Sequence, residues 1–404
     1  MKIILLSGGS GKRLWPLSNN QRSKQFIQIL KDENGCLESM VQRVWRQLGA
    51  IGLQDDVYIA TGENQRSILK SQLGISDEKI ISEPTRRDTF PAIALASVYL
   101  KSIVGIDEGE IIAVLPVDPY VEEDFFKTIL QLKKILSEEK STLGLIGIRP
   151  TYPSAKYGYI LPEDSKGRKV VRFIEKPSEE EAKTWIQKGA LWNAGVFGYR
   201  LQTILDVLRE KELPIEYQQL VEKYDALPKN SFDYEFVEKQ KNIAFLRYDG
   251  FWKDLGTWNT LTEEMGTQVV GKAQMIDSSN THIINELELP VAVIDLQDVV
   301  VAAGSEGILV TSKKASTRVK EINNEYFESI RFIEEDWGVC HTLHEAGECC
   351  TTHYEMKDHQ RLDFELGINQ KLIRLSGEGT VAQNGQKYSV TGHDKFHFVV
   401  VTEG

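Results

Sequence analysis

The sequence predicts an α/β fold, a mostly parallel sheet with helices on both faces, followed by a β-rich C-terminal part. Three observations carry this. Apolar runs of strand length alternate with helix-periodic stretches up to about residue 265. The first run leads straight into a glycine-rich turn. From about residue 266 short β-like runs replace the alternation. At 404 residues the chain is too long for one ordinary domain, so two or three are expected.

The strand candidates, in order, are Ile3–Leu6, Val57–Ala60, Ile80–Ser82, Ile111–Leu115 and Leu143–Ile148, mostly continuous apolar runs of the kind a parallel sheet buries. Helices are expected over Glu38–Leu48, Gln65–Leu73, Phe90–Ile103 and Glu123–Leu136, the last with Phe126, Ile129, Leu130, Leu132 and Ile135 on one face. Ligands of such a sheet sit beyond the carboxyl ends of its strands. The opening turn lies at one such end, and Leu115-Pro116-Val117-Asp118 at another. Further on, Val291–Ile294, Val299–Ala302 and Ile308–Val310 read as strands, and Ala315, Val319, Ile322 and Tyr326 mark a helix face. After Trp337 the chain is again β-rich, with turns expected at Gly377, Gly379 and Gly385. This last stretch carries six of the seven histidines, His341, His344, His353, His359, His393 and His397. No fixed-period repeat is apparent.

Composition narrows the function. Apolar content of 41% and charged content of 26% suit a globular protein. A net charge of −11 argues against a nucleic-acid partner, but leaves room for a local basic pocket that takes a phosphorylated small molecule. No run approaches the length of a membrane span. Met1-Lys2 leads directly into a strand, without a signal-peptide pattern. Of the four cysteines, adjacent Cys349-Cys350 has neither redox nor zinc-knuckle spacing, and a reducing cytoplasm is expected.

The turn Gly8-Gly9-Ser10-Gly11-Lys12-Arg13 follows a buried strand. Small residues let backbone amides approach phosphate oxygens, and Arg13 and Lys24 would add charge. It is not a Walker loop, because Leu6 stands where the first Gly belongs and Arg13 where the hydroxyl belongs. It is not the dinucleotide fingerprint, because Leu14 occupies the third Gly position. Taken alone, it reads more readily as a solvated surface loop.

Leu6–Leu17 with Lys24-Gln25-Phe26 resembles the signature of the sugar-1-phosphate nucleotidyltransferases, in the wording of the bacterial mannose-1-phosphate guanylyltransferase branch. Six more blocks follow in family order: Glu83-Pro84 with Arg87 and Thr89–Ala94; Leu115–Asp118; Tyr157–Ile160; Phe173–Pro177; Trp192–Phe197; and Phe251–Trp258. The resemblance spans residues 1–265. It implies a Rossmann-like, GT-A-like catalytic domain. It also implies transfer of a nucleotidyl group from GTP to α-D-mannose 1-phosphate, giving GDP-mannose and pyrophosphate. In that reading Leu6, Gly8, Gly9, Gly11, Arg13, Glu83, Arg87 and Thr89 bind nucleotide. Gly158, Glu175, Lys176 and Asn193 bind the sugar phosphate, and Asp118 and Asp254 hold Mg²⁺. Arg13, Lys24 and Lys176 are the catalytic cations.

The residue types suit this chemistry. Two phosphates must approach each other, so their charge must be neutralised by Mg²⁺ with Lys and Arg. Mg²⁺ takes few protein carboxylates, and isolated acids such as Asp118 and Asp254 fit, although without the resemblance they read more readily as a helix cap and a turn former. Lys176 would grip the sugar's phosphate and Glu175 a hydroxyl; their plain alternative is an exposed charged turn. Asn193 can both donate and accept toward a sugar, or cap a loop. Gly158 would leave room for the ring, or mark a bulge. In the base segment, Arg86-Arg87-Asp88-Thr89 replaces the family's Gly-Arg-Asn-Thr. Ionised Asp88 only accepts, which is compatible with the donors of guanine. The alternatives are another nucleotide or sugar 1-phosphate, or a paralogue that senses a nucleotide sugar without making it.

Residues 266–330 resemble the small β region plus helix that follows the catalytic domain in this branch. Residues 331–404 resemble the start of a cupin-type phosphomannose isomerase domain, through Asp336-Trp337-Gly338 and Leu375–Val381. His353-Tyr354-Glu355 stands where that domain's His-x-His is expected, with His397 as a later ligand, and the chain ends too early for a full barrel. The expectation is a truncated cupin-like domain used for packing or assembly, and a homo-oligomer, a dimer, is expected.

Overall fold

The computed structural model describes residues 1–9, 11–164, 167–322, 325 and 330–402. Ser10 of the turn and Tyr326 of the expected helix face lie outside them. The chain packs as two compact units that interleave in sequence: residues 1–8, 43–63 and 76–254, and residues 9–42, 64–75 and 255–404.

The first unit is built on a nine-stranded mixed sheet. Its parallel part follows the apolar runs: Lys2–Leu6 pairs with Val57–Gly62 on one side and Ile111–Pro116 on the other, and Val57–Gly62 pairs with Ile80–Glu83. The ten-residue strand Leu191–Arg200 then runs antiparallel to Ile111–Pro116, Leu143–Ile148 and Tyr159–Pro162. Leu143–Ile148 also pairs in parallel with Ile243–Tyr248. Both faces are covered. The helix Thr89–Ser102 is apolar all round and buried from Phe90 to Leu100, as a central helix should be. On the other face Leu132 packs where Gly144 and Gly198 lack side chains; a Cβ at either would lie within 3.1 Å of it.

Several elements differ from expectation for local reasons. The helix expected from Glu38 starts at Met40, because Ser39 and Gln42 satisfy each other's backbone amides and Leu37–Glu38 pairs with Leu30–Lys31. The single helix expected over Glu123–Leu136 is two, Glu123–Leu130 and Leu132–Glu138. At Gln131 the hydrogen bonds tighten to a three-residue pitch (Gln131 N to Thr128 O, 3.0 Å; Lys134 N to Gln131 O, 3.1 Å), which turns Leu130 outward.

In the second unit, residues 269–312 form short stacked coils. Two parallel strand pairs and one bridge join residues 18 apart: Ala273 with Val291, His282 with Val300, Ser279 with Gln297. This repeat was not expected. Its signal is in the corners: Asp277 and Asp295, and Asn280 and Asp298, recur at the same spacing, and all four are left-handed. Asp and Asn are the side chains that tolerate this conformation best after glycine. The expected helix through Ala315, Val319 and Ile322 is a 3₁₀ helix, Lys313–Glu321, which buries every third residue, Lys313, Ser316 and Val319; Ile322 is already extended. A six-stranded antiparallel sheet follows, packed on Met356, Val390, Phe396, Phe398 and Val400. Gly385 turns its long hairpin as expected, but Gly377 and Gly379 lie inside the strand Gln370–Asn384. A Cβ at Gly377 would meet Lys395 O at 1.9 Å, and one at Gly379 would meet the Phe396 ring at 2.5 Å. Among the described residues all four cysteines are free, and no helix is long and apolar enough to cross a membrane.

Phe232 is fully buried in the first unit, its ring 4.8 Å from Phe197, 5.0 Å from Phe236 and 6.5 Å from Phe90. Phe232→Ala should therefore lose about 3–5 kcal/mol of stability, read from the urea midpoint at constant slope. A loss under about 1 kcal/mol would contradict this packing.

Candidate active site

Asp118 lies one residue beyond the strand Ile111–Pro116, and the intervening Val117 N donates to Leu6 O (3.3 Å). The next residues, Pro119–Val121, form a two-stranded antiparallel ladder with Trp252–Asp254, in which Asp254 lies opposite Pro119. Two carboxylates far apart in sequence thus reach one cavity of about 200 Å³, also lined by Lys156, Tyr157, Gly158, Glu175, Asn193, Asp233 and Trp252. The Tyr157 ring packs on Trp192 (4.9 Å) and Trp252 (5.5 Å). Its hydroxyl is held well above the usual tyrosine range, first by burial and then by the negative charges of Asp254 and Asp118. An oxygen-only pair of acids with a summed negative field suits a hard divalent cation.

Glu175-Lys176-Pro177 leaves the strand Val170–Ile174 with Lys176 left-handed (φ 45°). Lys176 Nζ sits 2.6 Å from Glu175 Oε1. Burial raises the Glu175 carboxyl and Lys176 opposes that shift. Lys176 itself is half-exposed; burial lowers its pKa, but Glu175 outweighs this and the ammonium is favoured. Asn193 Nδ2 donates to Asp233 Oδ1 (3.0 Å), and Asn193 N to Gly158 O (2.8 Å). The Asp233 carboxyl is raised by burial, with Glu175 adding to it. Gly158 is needed for packing: a Cβ there would lie 2.6 Å from Glu175 Oε2 and 2.8 Å from the Phe173 ring. Asp233 was missed in the sequence because it sits on a single helical turn, Phe232–Glu235, capped by Ser231. Lys156, just before the Tyr157–Ile160 block, was missed for want of any pattern around it.

On the base segment, Glu83 ends the strand Ile80–Glu83, and a Cβ at Gly8 would lie 3.8 Å from its Oε1. Leu6 pairs with Ala60 and Pro116. The Arg87 guanidinium binds Asp225 Oδ1 (3.0 Å) and Leu227 O (3.1 Å), and Thr89 Oγ1 accepts from Phe232 N (2.8 Å). Asp88 has φ 73° and ψ −174°, a region nearly confined to glycine, and caps its helix by accepting from Thr89 N (2.7 Å).

Within the second unit, Gly11 is left-handed (φ +64°), Arg13 is exposed, and Lys24 Nζ lies 3.5 Å from Leu255 O. Far along the same unit, His353, Glu355 and His397 do converge, their donor atoms all within 4.8 Å of one another. Glu355 and His397 face each other across paired strands. The two rings stack, and His397 Nδ1 lies 3.2 Å from His353 Nε2, a distance one shared proton satisfies.

The nucleotidyl transferase family model matches residues 2–268. The chain belongs to the nucleotidyl transferase family. This nucleotidyl transferase is 30% identical to a mannose-1-phosphate guanylyltransferase of Escherichia coli, over 88% of this chain and 82% of that one. It is 27% identical to the alginate biosynthesis protein AlgA of Pseudomonas aeruginosa, over 99% and 89%. Among solved structures it is similar to a mannose-1-phosphate geranyltransferase from Thermus thermophilus, with 27% identity and a TM-score of 0.67, covering 81% of this chain and 99% of that one. Enzymes of this family work with a divalent metal.

Burial pushes the Glu83 carboxyl of this nucleotidyl transferase up to about 7, although Tyr224 OH donates to it (2.7 Å). The folded state thus holds its proton more tightly than the unfolded chain, so stability falls as pH rises from about 4.5 to about 7. Glu83→Gln keeps the acceptor for Tyr224 and removes the ionisation. At pH 8 it should be more stable than the wild type by about 3 kcal/mol, and the gap should close toward pH 4.5. Parallel urea-stability profiles for the two proteins would contradict this.

Proposed function

We propose that this nucleotidyl transferase joins GTP to α-D-mannose 1-phosphate, giving GDP-mannose and pyrophosphate. The observation that carries the reading is the meeting of Asp118 and Asp254 on a cavity whose lining also holds Glu175, Asn193 and Lys156. Two acids suited to a cation, with hydroxyl- and phosphate-binding groups beside them, match a sugar phosphate as nucleophile. The relatives named for mannose 1-phosphate supply the sugar and the guanine.

A phosphate oxygen of the sugar attacks the α-phosphorus of GTP in line. The new phosphorus–oxygen bond forms as the bond to the β-phosphate bridging oxygen breaks, and pyrophosphate leaves with that electron pair. The nucleophile is already ionised at neutral pH, so no general base is required. Lys176 holds the attacking phosphate. Glu175 and Asn193 take sugar hydroxyls, with Asp233 fixing the Asn193 amide. The amides of Gly8, Gly9 and Gly11, with Arg13 and Lys24, bind the triphosphate and stabilise the leaving group. Leu6, Glu83, Arg87 and Thr89 shape the nucleotide pocket, Arg87 through its hold on Asp225. Asp118 and Asp254 would hold Mg²⁺, which when bound neutralises phosphate charge. Residues 1–265 are the catalytic domain, 266–330 the small β region with its helix, and 331–404 the cupin-like domain. A cytoplasmic homodimer completes the proposal.

The test is pyrophosphate release with each of GTP, ATP, UTP, CTP and dTTP against mannose 1-phosphate and glucose 1-phosphate. A signal confined to GTP with mannose 1-phosphate is expected. A signal with another pair would keep the mechanism and move the specificity, and silence with GDP-mannose still bound would indicate a sensor. In the active pair, Asp118→Asn should lower kcat on the order of 10³-fold with the fold intact by circular dichroism. Lys176→Ala should raise KM for the sugar phosphate and leave KM for GTP within about twofold. Undiminished turnover in Asp118→Asn would refute the metal assignment.

A further inference from the structure

The glycine turn does not stand alone. A Cβ at Gly11 would lie 1.8 Å from Asn19 O, so the turn rests directly on the backbone of Asn19 and Asn20. The Ser18 hydroxyl donates to Gly11 O and accepts from Leu14 N, tying the same two stretches.

That backbone is in turn held by two glutamates from the stacked coils. Asn19 is buried and saturated. Its Oδ1 accepts from Gln21 N (2.8 Å) and Arg22 N (2.7 Å), while its Nδ2 donates to Glu306 Oε1 (2.8 Å) and Phe332 O (3.0 Å). Arg22 is also buried. Its guanidinium meets Glu286 as a fork, Nη1 to Oε2 and Nη2 to Oε1 at 2.8 Å each, and lies over the Phe332 ring at 4.2 Å. Nη1 also reaches Leu17 O (3.4 Å), inside the signature itself. Both glutamates are themselves fixed. Glu286 N donates to Ala303 O (2.9 Å), and Glu306 accepts from the backbone amides of Arg331 and Phe332.

We infer that Glu286 and Glu306 are positioning residues for the nucleotide-binding turn. Acting through Arg22 and Asn19, they make the coil region a working part of the triphosphate site. The inference rests on the reading that Gly9, Gly11 and Arg13 hold the nucleotide. A turn that presents backbone amides to phosphate is sensitive to small displacements, of which about 1 Å can lower turnover on the order of a hundredfold. Two half-buried carboxylates, each hydrogen-bonded to a buried side chain, are a rigid means of preventing them.

An ion pair on a buried arginine offers a separation of positioning from stability. Removing one partner strands a charge, whereas replacing both with apolar groups of similar volume is close to neutral for folding. The experiment compares wild type, Arg22→Met/Glu286→Leu, Glu306→Ala, Glu306→Gln and Arg13→Ala in full-length protein, by thermal melting and by KM for each substrate. The double variant should melt close to wild type, yet show KM for GTP raised about tenfold or more, with KM for the sugar phosphate within about twofold. Glu306→Ala, which leaves the Asn19 amide without that acceptor, should raise KM for GTP likewise and melt lower, and Glu306→Gln, which keeps an acceptor, should restore GTP binding. A double variant with normal melting and normal KM for GTP, or a Glu306→Ala variant with normal KM for GTP, would overturn the inference. Arg13→Ala identifies the cause. If it raises KM for GTP while the other variants do not, only the positioning role fails. If it too leaves KM for GTP unchanged, the nucleotide reading of the turn fails and takes the inference with it.

Discussion

Two carboxylates brought to one place set the terms for the catalytic unit. The short ladder between Pro119–Val121 and Trp252–Asp254 puts Asp118 and Asp254 on a single cavity. Two acids lining one cavity are the oxygen-donor set that the proposed divalent cation would need. Much around it serves that pairing. The central strand Ile111–Pro116 delivers Asp118, and the packed rings of Tyr157, Trp192 and Trp252 back the cavity, with Trp252 itself a ladder residue.

The same concern with charge runs through the rest of the cavity. Glu175 and Asp233 are both pushed toward their neutral forms by burial, and Lys176 partly offsets this for each. In the proposed function these groups would present acceptors to sugar hydroxyls, with the Lys176 ammonium, held by Glu175, for the phosphate. With a net charge of −11, the chain as a whole does not draw anionic substrates in. Capture must come from local groups, which is why the placement of a few cations and backbone amides matters more than the overall field.

Much of this was legible in the sequence. Continuous apolar runs such as Ile111–Leu115 read as buried strands, and the ends of such strands are where ligands of this fold bind. The ordered blocks through Phe251–Trp258 carried the family and the candidate residues. What escaped was set by tertiary context. Asp233 sits on one turn of helix and owes its place to the Asn193 amide. The break at Gln131 depends on hydrogen-bond pitch, not on any proline or glycine. The 18-residue coil repeat is carried by four left-handed Asp and Asn corners, while the strands between them share no obvious wording. The convergence of His353 with His397 required knowing which strands pair.

The most direct test of the account is divalent-metal binding read without turnover. Electron paramagnetic resonance would follow Mn²⁺ binding to the full-length protein, with and without GDP-mannose, in the wild type and in Asp118→Asn and Asp254→Asn. The account predicts that GDP-mannose tightens Mn²⁺ binding in the wild type and in neither variant. If both variants keep that tightening, the two aspartates do not hold the metal and the central claim is wrong.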